Sequence, residues 1–225
     1  MKQQIMKQLE KLDSMTYKHS VRVMLICEEI EEYMGVEDHK LMNAALLHDV
    51  GKLYMPGMIL DKNGRLTRLE REMIDLHPYI GYTMLTDLGV DEDICRIVLY
   101  HHGFKPLCIR EPEYYDCSLI YQKACILRTV DSFEALTSDR SYHRGVPSKE
   151  AIEILLNENN YDKVAMEYLK IASADEKYKD SAVKRQGRDV SIESVESMII
   201  KMDLLNDTTK HGRTTDLKVF HRMIS

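Results

Sequence analysis

The chain has 225 residues, 44% of them hydrophobic and 30% charged, enough for one domain with a substantial core. Its 31 basic and 37 acidic residues leave a formal net charge of −6, which excludes the global basic footprint of a polymeric nucleic-acid binder and leaves a small anionic ligand as the expected partner. No run approaches the ~18–20 continuous apolar residues of a membrane helix, and the polar start MKQQIMKQLEKLDSM lacks the apolar segment of a secretory signal, so a soluble, cytoplasmic chain without membrane insertion is expected.

The periodicity is helical nearly throughout. From Met15 to Met34, Val23, Ile26 and Ile30 form an apolar stripe widened by Val21, Leu25 and Cys27, and Gly35 stops it. His39 to Val50 is apolar enough to predict a helix buried on most sides, ended by Gly51. Leu53 to Leu66 holds Pro56, Gly57 and an Asp61–Gly64 turn cluster and reads as a loop. Thr67 and Glu70 form a capping box that opens a helix to Leu76. Pro78 disfavours helical geometry at His77 and starts a new helix that runs to Gly89.

Asp91 caps Glu92 to His101, and residues 103–117 read as an irregular loop. Leu119 to Leu136 predicts another buried helix, followed by a polar turn from Thr137 to Pro147. Ser148 is expected to cap Lys149 to Leu156, with a further helix from Tyr161 to Ala172. Residues 173–190 have a linker's composition, Ser191 to Leu205 is amphipathic, and the tail is polar. No segment makes a strong strand, so the class is all-α, with a domain over 1–172 and a linker plus helical extension over 173–225. The five cysteines are odd in number and contain no CxxC pair, which points away from a disulfide framework or zinc ribbon. Cys27, Cys95 and Cys125 fall in apolar helical patterns and read as buried small hydrophobes.

His48-Asp49 closes an apolar segment directly before Gly51-Lys52. An isolated pair of this kind is more often a satisfied core histidine beside a capping carboxylate. Its company reverses that preference. His19 lies in a helix patterned for the core, His77 at a helix junction, His101-His102 at a helix end, and Asp131 inside the apolar stretch ACILRTVDSFEAL. Together these are five imidazoles and two carboxylates, a mixed N/O set that suits Fe, Mn or Zn more than Ca or Mg. Seven donors exceed the needs of one tetrahedral centre, which favours two metals.

In the order His19-Ser20, His48-Asp49-Val50-Gly51-Lys52, His77, His101-His102 and Asp131, the sequence resembles the HD superfamily, and within it the HD-GYP branch. The likeness continues through LDKNGRLTRLEREMIDLHPYIGYTML and DSFEALTSDRSYHRGVPSKEAIEIL, and covers about residues 15 to 170. It implies an all-helical metallophosphodiesterase that hydrolyses cyclic di-GMP or a related nucleotide through a metal-bridging hydroxide. It further implies that His19, His48, Asp49 and Asp131 hold one divalent transition metal, with Asp49 bridging to a second held by His77, His101 and His102. Fe or Mn is expected, with Ni or Zn as alternatives. Some relatives bind a third metal through a Glu one helical turn before the first His; that position here is Met15, which cannot serve, so a binuclear site is expected. Asp49 and Lys52 are implied as catalytic residues, Lys52 approaching the substrate phosphate or the bridging solvent, and Lys52, Arg140, His143 and Arg144 as substrate-binding residues.

One departure stands out. After the double His the chain reads GFKPLCIREPEYYDC, without the branch's Glu, Asp-Gly or Gly-Tyr-Pro. That loop is associated with substrate fit and with diguanylate-cyclase partners, so weaker selectivity for cyclic di-GMP is expected, with the chemistry spared. A sensor protein is a further expected partner, and two other classes compete with the hydrolase reading: a signalling module that binds a nucleotide or partner without turning it over, and a binuclear-iron oxygenase. Lys52 and the Arg140 region, both directed at phosphate, favour hydrolysis.

Overall fold

The computed structural model describes residues 14–60, 62, 64–103, 118–139, 144–158, 160–178, 181 and 183, and no strand occurs among them. Helix α1 (Ser14–Met34) buries Tyr17, Val21, Val23, Met24, Ile26, Cys27 and Ile30. That is more than one stripe, because α2 (Lys40–Leu47), α7 (Ser118–Thr137) and α9 (Lys163–Ala174) all pack against it. Gly35, at φ +67°, ends α1, and the Gly35 and Val36 amides donate to the Glu32 and Glu31 carbonyls in the manner of a left-handed helix cap.

Every residue from Leu41 to Leu47 is buried, as the apolar run predicts. The N-cap residue of α2, His39, makes no capping hydrogen bond, although Asp38 Oδ1 accepts the Lys40 amide at 3.0 Å. Glu31 supplies a cap from α1, its buried carboxylate accepting the Leu41 amide at 2.9 Å and the Met42 amide at 3.4 Å. Lys123 of α7 ties down the intervening turn by donating to both Asp38 carboxylate oxygens, at 2.5 and 2.6 Å.

Beyond α2 the chain departs from expectation. The helix ends at Leu47 rather than Val50, and Val50–Tyr54 form a 3-10 turn that includes Gly51. Gly51 is therefore a point of contact, not a stop: a Cβ built there would lie 2.0 Å from the His77 carbonyl oxygen. The segment expected as loop also contains a short helix, α3 (Gly57–Leu60). The capping box at Thr67 and Glu70 is present and opens α4 (Arg68–Ile74). His77 is itself the first residue of α5 (His77–Asp87), so the expectation that Pro78 excludes it from the helix fails. Pro78 occupies the first turn, where its missing N–H has no partner to lose.

Helix α6 (Glu92–Tyr100) begins with Asp91 accepting the Asp93 amide at 2.9 Å, and packs on α2, α5 and α7. Helix α8 (Ser148–Glu158) includes Ser148, expected as its cap, and α9 is capped by Asp162. Past α9, Val183 is fully buried in the core, so the packing reaches beyond residue 172. The amphipathic 191–205 segment lies outside the described residues. Cys27 and Cys95 are buried, whereas Cys125 is half-buried. No helix among the described residues is long and apolar enough to cross a membrane.

Candidate metal centre

The packing of α1, α2, α6 and α7 brings three helix ends and two helix faces to one place. His48 caps the C-terminus of α2 with Asp49 next to it, His101 caps α6 with His102 next to it, and His77 opens α5. His19 and Asp131 enter from the facing sides of α1 and α7. All seven donors expected from the sequence converge. His19, His48, Asp49, His77 and His101 are buried, Asp131 is half-buried and His102 is exposed.

Their donor atoms fall into three overlapping groups, each with its atoms within 4.8 Å of one another: His19, His48 and Asp131; His48, Asp49 and His101; and His77, His101 and His102. His19 Nε2 lies 2.9 Å from Asp131 Oδ1. Asp49 stands between the outer groups, with Oδ1 3.2 Å from His77 Nε2 and Oδ2 3.5 Å from His48 Nε2 and 3.9 Å from His19 Nε2. Lys52 donates to Asp49 Oδ2 at 2.6 Å.

The ring orientations have local causes. His48 Nδ1 donates to the Ala45 carbonyl at 2.7 Å, His77 Nδ1 to Ile74 at 2.7 Å and His101 Nδ1 to Val98 at 2.6 Å. In the neutral imidazole this leaves each Nε2 with its lone pair facing the centre. His19 differs. Its Nδ1 meets Glu134, a buried carboxylate on α7 that also accepts from Arg22 Nε and Ser138 Oγ. Sequence reasoning missed Glu134, although it lies three residues after Asp131 on the same helix face, a spacing that aims both at one neighbour.

The electrostatics follow from burial and neighbours. Burial pushes the His48 imidazolium below its ordinary range and holds His101 well below it with help from His102 and His48. His102, exposed on one side but with its ring against His77 and His101, is taken down to about 4 by the desolvation of that inner side. Burial acts the same way on His19, but the Glu134 and Asp131 carboxylates outweigh it and raise this group to about 9. Burial would raise Asp49, yet Lys52, His48 and His77 hold its carboxyl well below the usual range. Asp131 is likewise lowered, burial being overcome chiefly by His19.

This donor set fits metal ions. His48 Nε2 is buried with no hydrogen-bond partner, and His77 Nε2 faces His101 Nε2 at 3.4 Å. Buried acceptors turned toward one another are costly unless something electron-deficient joins them. Of the residues expected to touch substrate, Arg144 is exposed at the turn before α8, while Arg140 and His143 lie outside the described residues, as does the 104–117 segment.

The HD domain model matches residues 16–136 of the chain. A cyclic di-GMP phosphodiesterase of Pseudomonas aeruginosa is 31% identical over 163 residues, covering 68% of this chain and 38% of the relative. A cyclic di-GMP phosphodiesterase of Thermotoga maritima is 32% identical over 178 residues, covering 71% and 45% respectively. The 3'3'-cGAMP-specific phosphodiesterase 3 of Vibrio cholerae is 31% identical over 143 residues, covering 62% and 31%. The chain thus spans less than half the length of these curated relatives. Among solved structures, the HD domain of L. monocytogenes phosphodiesterase PgpH in complex with cyclic-di-AMP superposes with a TM-score of 0.53 at 19% identity, over 73% of this chain and 94% of that one, a likeness of fold. With the adjacent His48-Asp49 pair at the centre of the cluster and the matched segment filling more than half of the sequence, the chain belongs to the HD domain family.

Proposed function

We propose that the chain is a metal-dependent phosphodiesterase of the HD-GYP type, acting on cyclic di-GMP or a closely related cyclic dinucleotide. The observation that carries this reading is the placement of Asp49, whose two oxygens face different histidine groups at 3.2 and 3.5 Å. In this assignment His19, His48, Asp49 and Asp131 hold one ion, and Asp49, His77, His101 and His102 hold a second. Five imidazoles with two carboxylates suit Fe or Mn, with Ni or Zn as alternatives. The activities named for the curated relatives support the substrate class.

Two divalent ions, when bound, would supply polarisation of the phosphoryl oxygen and acidification of the attacking water. The chain's own residues do the positioning. The carbonyl-anchored rings of His48, His77 and His101 hold their Nε2 atoms in place, so little reorganisation accompanies the reaction. Lys52 holds Asp49 through one N–H and has two more to offer a phosphate oxygen as negative charge shifts toward it. Arg140, His143 and Arg144 are proposed as further phosphate contacts. The altered 103–117 rim is proposed to relax selectivity among cyclic dinucleotides by changing their relative transition-state binding.

The test is a hydrolysis screen of cyclic di-GMP, 3'3'-cGAMP and the linear dinucleotide, with Fe, Mn and Ni supplied in turn, alongside metal analysis. The expected result is nearly two transition-metal ions per chain and metal-dependent opening of a cyclic dinucleotide. Failure to cleave any of them with any metal would refute the activity, and a reproducible single ion would refute the binuclear assignment.

A further inference from the structure

Arg128 lies one helical turn before Asp131 on α7 and is half-buried. Its guanidinium carbon sits 5.7 Å from the centroid of the Tyr161 ring, within cation–π range. One of its terminal nitrogens, Nη1, lies 3.8 Å from the point that a Cβ on Gly103 would occupy. Gly103 directly follows His101-His102 and takes a left-handed φ of +85°, and it brings no side chain of its own against the guanidinium. The guanidinium therefore lies against the backbone of Gly103, the residue that follows His101-His102.

The prop under it is fixed. Tyr161 donates its hydroxyl to Glu158 at 2.9 Å. The neighbouring Asp162 amide donates to Thr129 Oγ1 at 2.9 Å, which pins this turn to α7 beside Arg128. The nearby acids are engaged elsewhere. Asp131 and Glu134 face His19, Glu158 takes the Tyr161 hydroxyl, and Asp162 caps α9. Among the described residues no carboxylate pairs with Arg128. A partly desolvated guanidinium without a counter-anion among the described residues, one residue beyond the candidate ligands His101-His102, is suited to a phosphate, whose oxygens its planar fork matches.

We propose that Arg128, propped on Tyr161, is a substrate-binding residue that takes the phosphate of a dinucleotide other than the one cleaved at the cage. The proposal rests on the phosphodiesterase reading for its substrate class, and it sharpens that reading. A cyclic dinucleotide carries two phosphates, and the cage with Lys52 accounts for one. A purely structural role would be to complement the partial negative charge at the C-terminus of α6.

The experiment uses the metal-loaded full chain, with Arg128→Ala, Arg128→Lys and Tyr161→Phe beside the wild type. Binding is measured by calorimetry with a non-hydrolysable bis-phosphorothioate analogue of cyclic di-GMP. Turnover is compared between cyclic di-GMP and bis(p-nitrophenyl) phosphate, which has a single phosphate. Arg128→Ala should weaken analogue binding at least tenfold and raise KM for cyclic di-GMP with kcat within threefold. It should also lower the ratio of kcat/KM for cyclic di-GMP over the single-phosphate ester at least fivefold, with metal content and Tm retained. Tyr161→Phe keeps the ring and should bind within threefold of wild type, whereas Arg128→Lys keeps the charge but loses the fork and should fall between. Arg128-dependent binding without turnover would defeat the phosphodiesterase reading and leave this proposal standing. Analogue binding within twofold of wild type in Arg128→Ala would overturn it, as would absence of binding by the wild type. If Arg128→Ala loses metal or fails to fold, Arg128→Lys decides, and wild-type affinity there also overturns the proposal.

Discussion

Gly51→Ala is the perturbation that bears most directly on how the site is built. A Cβ at this position would stand 2.0 Å from the His77 carbonyl oxygen, 2.8 Å from the Gly81 amide nitrogen and 2.9 Å from the His77 carbonyl carbon. Real Cβ atoms stay at least 3.0 Å from such atoms, so the backbone of α5 would have to retreat by about 1 Å. That retreat is opposed by α6, on which α5 also packs. The retreat would carry His77 away from Asp49 Oδ1, now 3.2 Å from its Nε2, and metal–nitrogen bonds near 2.0–2.1 Å do not stretch to absorb it. Overpacking of a well-packed interior costs about 1–3 kcal/mol, and a backbone-on-backbone clash belongs at the upper end.

Urea unfolding of the metal-free Gly51→Ala protein should therefore show a loss of about 3 kcal/mol. Metal titration should show the second equivalent weakened on the order of 10–100-fold, the usual penalty for disturbing a ligand's support. The opposing glycine is the internal control. A Cβ on Gly81 would meet its nearest neighbours at 3.4, 3.5 and 3.6 Å, ordinary contact distances, and it lies within a helix that favours Ala over Gly by about 1 kcal/mol. Gly81→Ala should be neutral or slightly stabilising. A Gly51→Ala protein within 0.5 kcal/mol of wild type with both metal equivalents intact would refute the reasoning.

Asp49→Ala should lose both metal equivalents and activity together, since it removes the one carboxylate facing both histidine groups; metal analysis showing full content would exclude the bridging assignment. Burial opposes ionisation of Glu134, but the His19 imidazolium and Arg22 outweigh it and bring the carboxyl from 4.5 to about 2. A carboxyl lowered on folding stabilises above its unfolded value and loses that contribution as pH falls through the folded one, so Glu134→Gln in the metal-free protein should cost on the order of 2–3 kcal/mol near pH 7, counting the His19–Glu134 pair once, and almost nothing near pH 2 by chemical unfolding. Gly145→Ala should destabilise by about 2–3 kcal/mol, because its Cβ would lie 2.2 Å from the Thr137 carbonyl oxygen; a thermal melt that matches wild type would contradict this.

Much of the architecture is legible in the sequence because its signals are local. The apolar stripe of α1, the Thr67–Glu70 capping box and the Asp91 cap need only neighbouring residues to act, and each stands where its pattern places it. What the sequence hides is set by partners far along the chain. Gly51 reads as a helix stop, yet its role is to admit the backbone at His77, 26 residues on. Glu31 carries no local signal in the sequence, yet it caps a different helix. The candidate metal donors are conspicuous because imidazoles and carboxylates on apolar helices need an explanation. Glu134 is one of the same kind and was obscured by standing beside a better candidate, Asp131.

One device recurs in the cage and explains where its histidines fall. An α-helix leaves its last carbonyls without intrahelical donors. Ala45 lies near the end of α2, Val98 near the end of α6, and Ile74 is the last residue of α4. In each case the histidine three residues later donates Nδ1–H to that carbonyl: His48, His101 and His77. A single hydrogen bond thus satisfies a helix terminus, fixes the tautomer and turns Nε2 inward, so folding the helix and aiming the ligand are one event. His19 cannot use this device. It sits in the first half of a 21-residue helix, where the carbonyls behind it are already taken by the helix's own amides. Its Nδ1 therefore requires an acceptor from another element, and the buried Glu134, braced by Arg22 and Ser138, is that acceptor. The exception follows from the same rule: an imidazole at a helix end is oriented by backbone, and one in the body of a helix needs a side chain, with the burial and charge that this entails.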